Sequence, residues 1–129
     1  MAYPDDPRRS PEGTAALDAK AASLGIKVPT QATLKKYGLT ATDWLIILDD
    51  QSWVCPIMGT RPSTGRFVID HEHVPGFAKM PPEEKKKYVR GIVSWYANHA
   101  YLGRGITVKR AANVLQFLTS YEMRRPPRG

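Results

Sequence analysis

Cysteine is almost absent from this sequence, which excludes two ways of stabilising a small protein. Cys55 is the only cysteine in the 129 residues. A single thiol cannot close a disulfide within the chain, and it cannot provide a zinc site of the four-cysteine kind. We therefore expect neither an internal disulfide nor a structural zinc ion.

Long apolar stretches are absent as well. No run approaches the ~20 apolar residues that cross a bilayer as a helix. The N-terminus is proline-rich and charged, whereas a secretory signal has an apolar centre. We therefore expect no membrane partner and a location in the cytosol, which is reducing and gives access to nucleic acid.

Acidic residues are scarce relative to basic ones. The chain has 12 Asp and Glu against 19 Lys and Arg, a net charge of +7. Residues 104–129 alone hold six basic residues and one acid, Glu122, a net of +5. A basic surface favours a polyanionic partner, because lysine and arginine release the counterions of phosphates. A merely soluble basic protein has the same balance, so charge alone leaves both interpretations open.

The two ends of the chain differ from its middle. Residues 1–13 contain three prolines and several charges, a composition that predicts a loose arm. A helix is predicted over 14–24 with Thr14 as its N-cap. Residues 124–129 are basic and proline-containing, which predicts a non-helical tail. A single domain would then cover 14–123.

The middle of the chain predicts helices around two short strands. Thr40-x-x-Asp43 resembles a capping box and predicts a helix over about 41–51. Apolar runs at 67–69 and 88–93 predict two strands. Ser94 is placed to cap a helix directly after the second strand. The fold class expected is α+β, with its core over 52–103.

A last helix is predicted after Thr107. Its apolar residues recur at a helical spacing between positions 108 and 121. This stripe predicts a face for the core or for a dimer interface, rather than a cofactor site. The three tryptophans are expected in the core: Trp44, Trp53 and Trp95.

The segment with the most chemistry is Ile69-Asp70-His71-Glu72-His73, with Asn98 further along the chain. Phosphodiester hydrolysis needs a divalent metal to neutralise charge and a base to take a proton from water. Histidine is the best base near neutral pH, and Asp and Asn oxygens are hard ligands suited to Mg²⁺. A hairpin carrying Asp70 and His71, followed by a helix carrying Asn98, can converge on one metal–phosphate site. The same string is also compatible with a solvated polar strand end.

With these residues in order, the chain resembles the phage recombination endonuclease VII family of HNH nucleases. The resemblance covers roughly 34–103 in family order and spacing. The matching segments are Tyr37-Gly38-Leu39-Thr40, Cys55-Pro56-Ile57-Met58-Gly59, Ile69-Asp70-His71-Glu72-His73, Val89-Arg90-Gly91 with Asn98, and Leu102-Gly103. The resemblance implies a ββα-metal (HNH) core flanked by N- and C-terminal helices, and an intertwined homodimer.

The resemblance also implies a role for each site residue. Asp70 and Asn98 would ligate the catalytic Mg²⁺, or Mn²⁺ in its place. His71 would be the general base, and His73 would hold the phosphate or the geometry of the site. Some family members carry a carboxylate one turn after the asparagine, where this chain has Tyr101.

Basic residues near these positions are candidate DNA contacts. Arg90 lies beside the site and can hold a phosphate with two hydrogen bonds. The run Lys85, Lys86 and Lys87 is expected between the strands, in a loop that could include a short helix begun by Pro81-Pro82, and His99 follows Asn98. Each of these side chains is equally compatible with a solvated surface.

The chain departs from the family at its structural zinc. The four family cysteines fall at Cys55, Met58, Ser94 and Ala97 of this sequence. One thiolate cannot hold a tetrahedral zinc. We therefore expect a small apolar core in place of the metal, formed by Met58, Ala97, Trp53, Trp95 and Tyr96.

The function expected is Mg²⁺-dependent cleavage of branched DNA such as four-way (Holliday) junctions. The implied setting is a bacteriophage recombination or packaging pathway in the bacterial cytoplasm. Two alternatives remain open within DNA binding: a catalytically inactive DNA-binding module and a non-specific HNH nicking nuclease. A third is a scaffold protein of phage assembly, without specific affinity for DNA.

Overall fold

A computed structural model of the chain describes residues 5–103, 106–125 and 127. Within these residues the chain forms six α-helices and two β-strands. In order they are α1 (Pro11–Ser23), α2 (Gln31–Lys35), α3 (Ala41–Asp50), β1 (Phe67–His71), α4 (Pro82–Lys87), β2 (Val89–Ser94), α5 (Trp95–Ala100) and α6 (Val108–Arg124). Short 3-10 helices at Pro7–Arg9 and Phe77–Lys79 precede α1 and α4. This mixture of helices and a small antiparallel sheet agrees with the predicted α+β class.

The start of the chain corrects the prediction of a loose arm over 1–13. Residues 7–9 form a 3-10 helix, and α1 begins at Pro11 rather than at 14. Ser10, not Thr14, is the N-cap, and its hydroxyl accepts a hydrogen bond from the Gly13 N–H at 3.0 Å. Positions 1–4 lie outside the described residues.

Two arginines attach this N-terminal segment to α3. The guanidinium of Arg8 donates to Asp49 and Asp50, both at 2.7 Å. Arg9 donates to Asp43 at 2.6 Å. These ion pairs join residues more than thirty positions apart, which is why the local composition did not predict an ordered segment.

Helix α3 is the centre of the core. The capping box at its start is confirmed: Thr40 Oγ1 accepts from the Asp43 N–H at 3.0 Å, and Asp43 Oδ2 accepts from the Thr40 N–H at 2.9 Å. Trp44, Leu45 and Leu48 are fully buried. The chain packs around this helix, with α1 on one side and β2 on another.

The two strands form an antiparallel hairpin with Ile69 opposite Ile92. Gln51, just after α3, extends this sheet by its side chain. Its amide nitrogen donates to the Ile92 carbonyl at 2.7 Å, and its amide oxygen accepts from the Ile92 N–H at 2.9 Å. Gly91 leaves room for this contact, because a Cβ there would lie 2.9 Å from the Gln51 amide oxygen.

Helix α6 begins as predicted, with the Thr107 hydroxyl accepting from the Arg110 N–H at 3.0 Å. No residue of α6 is buried, so its apolar stripe is not part of this chain's core, and the dimer interface remains a prediction. The tail expected at 124–129 starts one residue later, because α6 includes Arg124. Positions 104, 105, 126, 128 and 129 lie outside the described residues. No helix in the described part of the chain could cross a bilayer.

Candidate functional site

The candidate site begins where β1 ends. Asp70 and His71 are the last residues of the strand, and the register shifts between them, with Asp70 opposite Gly91 and His71 opposite Val89. Such a bulge re-aims side chains at the end of a strand. Asp70 is buried, whereas His71 is half-buried.

Asp70 is held by Arg90 from the neighbouring strand. Arg90 Nε donates to Asp70 Oδ2 at 2.7 Å, and Arg90 Nη2 donates to Asp70 Oδ1 at 3.0 Å. The hydrogen bond with Asp70 raises the pKa of Arg90 above its usual value. Both oxygens of the predicted metal ligand therefore have a cationic partner.

The ring of His71 lies in an aromatic cluster. It stacks on Phe77 with centroids 4.6 Å apart and meets the edge of Tyr37 at 5.3 Å. His73 lies next to it, with ring centroids 4.8 Å apart. Burial, together with the neighbouring His73, lowers the pKa of His71 below its usual range, although Asp70 opposes the shift. The neutral imidazole, which can accept a proton, is thereby favoured.

Asn98 lies on α5, the helix that follows β2 without an intervening loop. Ser94 caps this helix as predicted, its hydroxyl accepting from the Ala97 N–H at 3.1 Å. The Asn98 side chain is half-buried and forms no hydrogen bond with any described residue. The structure thus brings Asp70, His71 and His73 together. The Asn98 side chain forms no hydrogen bond with any of these three residues.

The donor chemistry at Asp70 fits a hydrated magnesium ion. Among the described residues, no three Asp, Glu, His or Cys side chains converge as a metal-binding group. Mg²⁺ does not need such a group, because it keeps several waters and takes one or two protein oxygens plus substrate phosphates. Asp70 and Asn98 can supply those oxygens, on the condition that Arg90 releases at least one oxygen of Asp70.

The three lysines proposed as DNA contacts form the last turn of α4, the short helix that Pro81-Pro82 could begin between the strands. Lys86 is bound to the buried carboxylate of Asp43, with Nζ 3.1 Å from Oδ2. Lys87 pairs with Glu84 within the helix at 3.1 Å. Lys86 therefore connects α4 to α3, and Lys85 and Lys87 have more freedom to meet a phosphate.

Two of the positions that match zinc cysteines, Met58 and Ser94, lie within hydrogen-bonding reach of Cys55. The buried thiol lies within reach of the backbone N–H groups of Ser94, Met58 and Ile57 and of the Ser94 hydroxyl. Burial alone would raise the pKa of Cys55, but these hydrogen bonds together bring it below its usual value. Cys55 and Ser94 thus join the 55–60 turn to the start of α5.

The apolar core expected at this place is only partly present. Trp53 and Ala97 are buried, as predicted. Met58, Trp95 and Tyr96 are 41%, 59% and 55% exposed, so the prediction was wrong for these three. Hydrogen bonds around Cys55 hold this region together in place of an apolar core. The side chains of Trp95 and Tyr96 point outward from α5.

One feature of α5 was missed in the sequence. The His99 ring stacks on the Trp95 ring, with centroids 4.0 Å apart and planes 24° from parallel. His99 Nδ1 lies 2.9 Å from the Trp95 carbonyl oxygen, which fixes the imidazole in this orientation. The spacing of four residues on a helix capped by Ser94 is the signal that could have predicted the pair.

Comparison of the chain with protein-family models, with curated proteins and with solved structures gives no match in any of the three. The function of the chain is therefore inferred from the chemistry and placement of the residues described above. The most informative of these are Asp70, His71 and Arg90, together with the stacked and exposed rings of Trp95 and His99 on α5.

Proposed function

We propose that this chain is a Mg²⁺-dependent DNA endonuclease of the HNH type that cuts branched DNA. One observation carries the proposal. Asp70 and His71 end the first strand of an antiparallel hairpin, and the second strand runs directly into the helix that bears Asn98. A base and two hard oxygen donors thus occur on one strand of the hairpin and on the helix that directly follows its partner strand.

His71 is the residue that takes a proton from the attacking water. Its ring is held by Phe77 and Tyr37 on two sides and stays half-buried, so that its orientation is restrained before substrate arrives. His73 lies beside it and is exposed. From that position His73 contacts the phosphate or steadies His71.

Asp70 and Asn98 are the residues that would hold the metal ion. When bound, the ion supplies charge neutralisation at the phosphate and at the leaving oxygen. Arg90 has to release Asp70 for this, and a guanidinium has a natural second partner in the phosphate, which it binds with the same two-pronged geometry. Substrate binding thereby exposes the ligand that catalysis needs.

The preference for branched DNA depends on a second copy of the chain. The apolar stripe of α6 is exposed in the monomer, as an interface helix would be. A homodimer places two sites on one assembly, which can cut two strands of a four-way junction. The implied setting is the recombination or packaging of phage DNA.

Cleavage of a labelled four-way junction and a matched linear duplex tests the proposal. The full chain, His71→Ala and Glu72→Gln are compared in Mg²⁺ and in EDTA. Glu72 is exposed between the two histidines and is the matched control. We expect Mg²⁺-dependent cutting that His71→Ala abolishes and Glu72→Gln retains. A preference for the junction over the duplex supports the resolvase role, and equal cutting assigns a non-specific nicking nuclease.

The second candidate is a DNA-binding module without catalysis. The observation that favours it is the pairing of both Asp70 oxygens with Arg90, whose positive charge opposes a metal ion at the same carboxylate. A folded chain that binds the junction in EDTA and does not cut it in Mg²⁺ would identify this alternative.

A further inference from the structure

The side chains of α5 expose an aromatic surface that the proposed nuclease chemistry does not use. Trp95 and His99 form a stacked pair at 4.0 Å, and Tyr96 meets Tyr101 edge to face at 5.9 Å. Trp95, Tyr96 and Tyr101 are each more than half exposed. A single exposed aromatic residue is ordinary, but a cluster of this size on one short helix indicates a binding surface.

A basic cleft adjoins this surface. Its volume is about 400 Å³, and Trp95 and Tyr96 form one wall. Arg61 and Arg66 line it together with serine and threonine hydroxyls, and no acidic side chain is among the described residues that line it. Arg61 Nε donates to the Trp53 carbonyl at 3.1 Å, which restrains the guanidinium, and Arg61 is exposed as a residue.

The charge of this cleft is not neutralised locally. Within the part of the chain that the structure describes, neither Arg61 nor Arg66 forms an ion pair. Two cations beside an exposed aromatic plane match a ligand that is anionic along its backbone and flat at its side groups. Nucleic acid has this combination, with phosphates for the arginines and bases for the aromatic rings.

We infer that the Trp95–His99 pair is a stacking platform for an unpaired nucleobase, with Arg61 and Arg66 holding the adjoining phosphates. The base has to be unpaired, because bases inside a duplex are covered on both faces by their neighbours. Branched DNA offers such bases where it carries a flap or unpaired nucleotides, or where a pair at the branch point opens. The assignment to DNA rests on the proposed function, whereas the stacking itself requires only a base with a free face.

The His99 ring makes the platform rigid on the protein side. It covers one face of Trp95 and is held by its hydrogen bond to the Trp95 carbonyl. The opposite face of the indole is the one available to a base. A base stacked on an aromatic side chain tightens binding about 5- to 150-fold, which is enough to separate an unpaired site from intact duplex.

Tryptophan fluorescence tests the inference on the full chain. Trp44 and Trp53 are buried, so Trp95 is the exposed one of the three tryptophans. In EDTA, which prevents cleavage, the chain is titrated with an intact duplex, with the same duplex carrying three unpaired nucleotides, and with single-stranded DNA and RNA of one sequence. Trp95→Ala removes the platform, and Trp95→Phe keeps an aromatic plane.

We expect the unpaired DNA to quench Trp95 emission and to bind at least 5-fold more tightly than the duplex. Trp95→Ala should remove this preference, and Trp95→Phe should keep most of it. Two results overturn the inference: an unchanged preference in Trp95→Ala, or shielding of Trp95 on raising the protein concentration without DNA. Tighter binding of RNA than of DNA overturns the assignment of the platform to DNA.

This readout separates the inference from the proposed function. A preference for unpaired DNA that depends on Trp95, without any cutting in Mg²⁺, contradicts only the nuclease. Cutting that depends on His71, with the same preference in the wild-type chain and Trp95→Ala, contradicts only the platform.

Discussion

Arg90 holds both carboxylate oxygens of Asp70, at 2.7 and 3.0 Å, across the hairpin of β1 and β2. Asp70 is buried, so its charge needs this partner when no other cation is bound. The same pair that stabilises the free protein would therefore compete with a metal ion at the proposed site.

The first prediction concerns stability when this partner is removed. Arg90→Ala leaves a buried carboxylate unpaired and should lower the free energy of unfolding by about 3 kcal/mol. Mg²⁺ should restore part of this loss, because it replaces the missing cation, and should raise the Tm of Arg90→Ala more than that of the wild-type chain. Thermal unfolding with and without Mg²⁺ measures both effects.

The control for this experiment is Asp70→Asn combined with Arg90→Ala, which has no buried carboxylate at this place. Its Tm should not respond to Mg²⁺ beyond the response of the wild-type chain. An equal Mg²⁺ response in Arg90→Ala and in the double variant would show that the ion does not bind Asp70.

Asp43 gives a prediction for acid. Burial alone would raise its pKa, but hydrogen bonds from the Thr40 N–H, Arg9 and Lys86 hold the pKa below its usual value. A carboxylate with a lowered pKa in the folded state stabilises the fold above its unfolded pKa of ~3.9, and this contribution is lost as pH falls through the folded pKa. Acid should therefore weaken the ion pairs that attach α3 to the N-terminal segment and to α4.

Asp43→Asn should lower the free energy of unfolding by about 1–3 kcal/mol at pH 7, because Arg9 and Lys86 lose their charged partner. The difference from the wild-type chain should shrink as the pH falls below ~4. Urea unfolding across pH 3–7 measures it, with Asp18→Asn on the exposed face of α1 as the matched control. A difference that is the same at every pH would contradict the assignment to ionised Asp43.

The elements that could be predicted from the sequence are those set by short-range hydrogen bonds. Thr40, Ser94 and Thr107 each cap a helix through the N–H three residues later, so the cap and its partner occur in one window of sequence. The contacts of Arg8 and Gln51 span 41 residues. Such contacts depend on how elements pack, which no local pattern contains.

The candidate site divides in the same way. Asp70 and His71 could be placed at a strand end, because the apolar run before them and Pro75 after them mark its limits. The ion pair between Asp70 and Arg90 could not be predicted, since it depends on the register of the hairpin. Trp95 was expected in the core from its residue type alone, but the cap at Ser94 sets the phase of α5 and turns the indole outward.

The turn around Cys55 gives a third prediction, which tests the resemblance directly. Backbone N–H groups of Ile57, Met58 and Ser94 already surround the Cys55 sulfur. The variant with Met58→Cys, Ser94→Cys and Ala97→Cys should therefore bind one Zn²⁺ per chain with four thiolates. Substitution by Co²⁺ and its visible absorption spectrum reports the tetrahedral coordination, and a chelator should lower the Tm.

Two controls should not bind zinc: the wild-type chain, which has Cys55 alone, and the variant with Met58→Ser and Ala97→Ser. The cysteine at 94 costs about 1 kcal/mol by loss of the cap on α5, which bound zinc should exceed. A folded triple variant that binds no metal would mean that the four positions do not converge, and the resemblance to the nuclease family would lose its structural part.

Helix α6 supplies the last prediction, on assembly. Leu115 and Leu118 are more than half exposed on its apolar stripe, so their replacement should not unfold the monomer. We expect the wild-type chain to sediment as a dimer and Leu115→Lys with Leu118→Lys to sediment as a monomer, because charges on the stripe oppose burial. Gln116→Lys adds a charge on the opposite face of the helix and should remain dimeric. A wild-type chain that stays monomeric at all concentrations would contradict the proposed dimer. Each molecule would then carry one proposed site, and a junction would have to be cut one strand at a time.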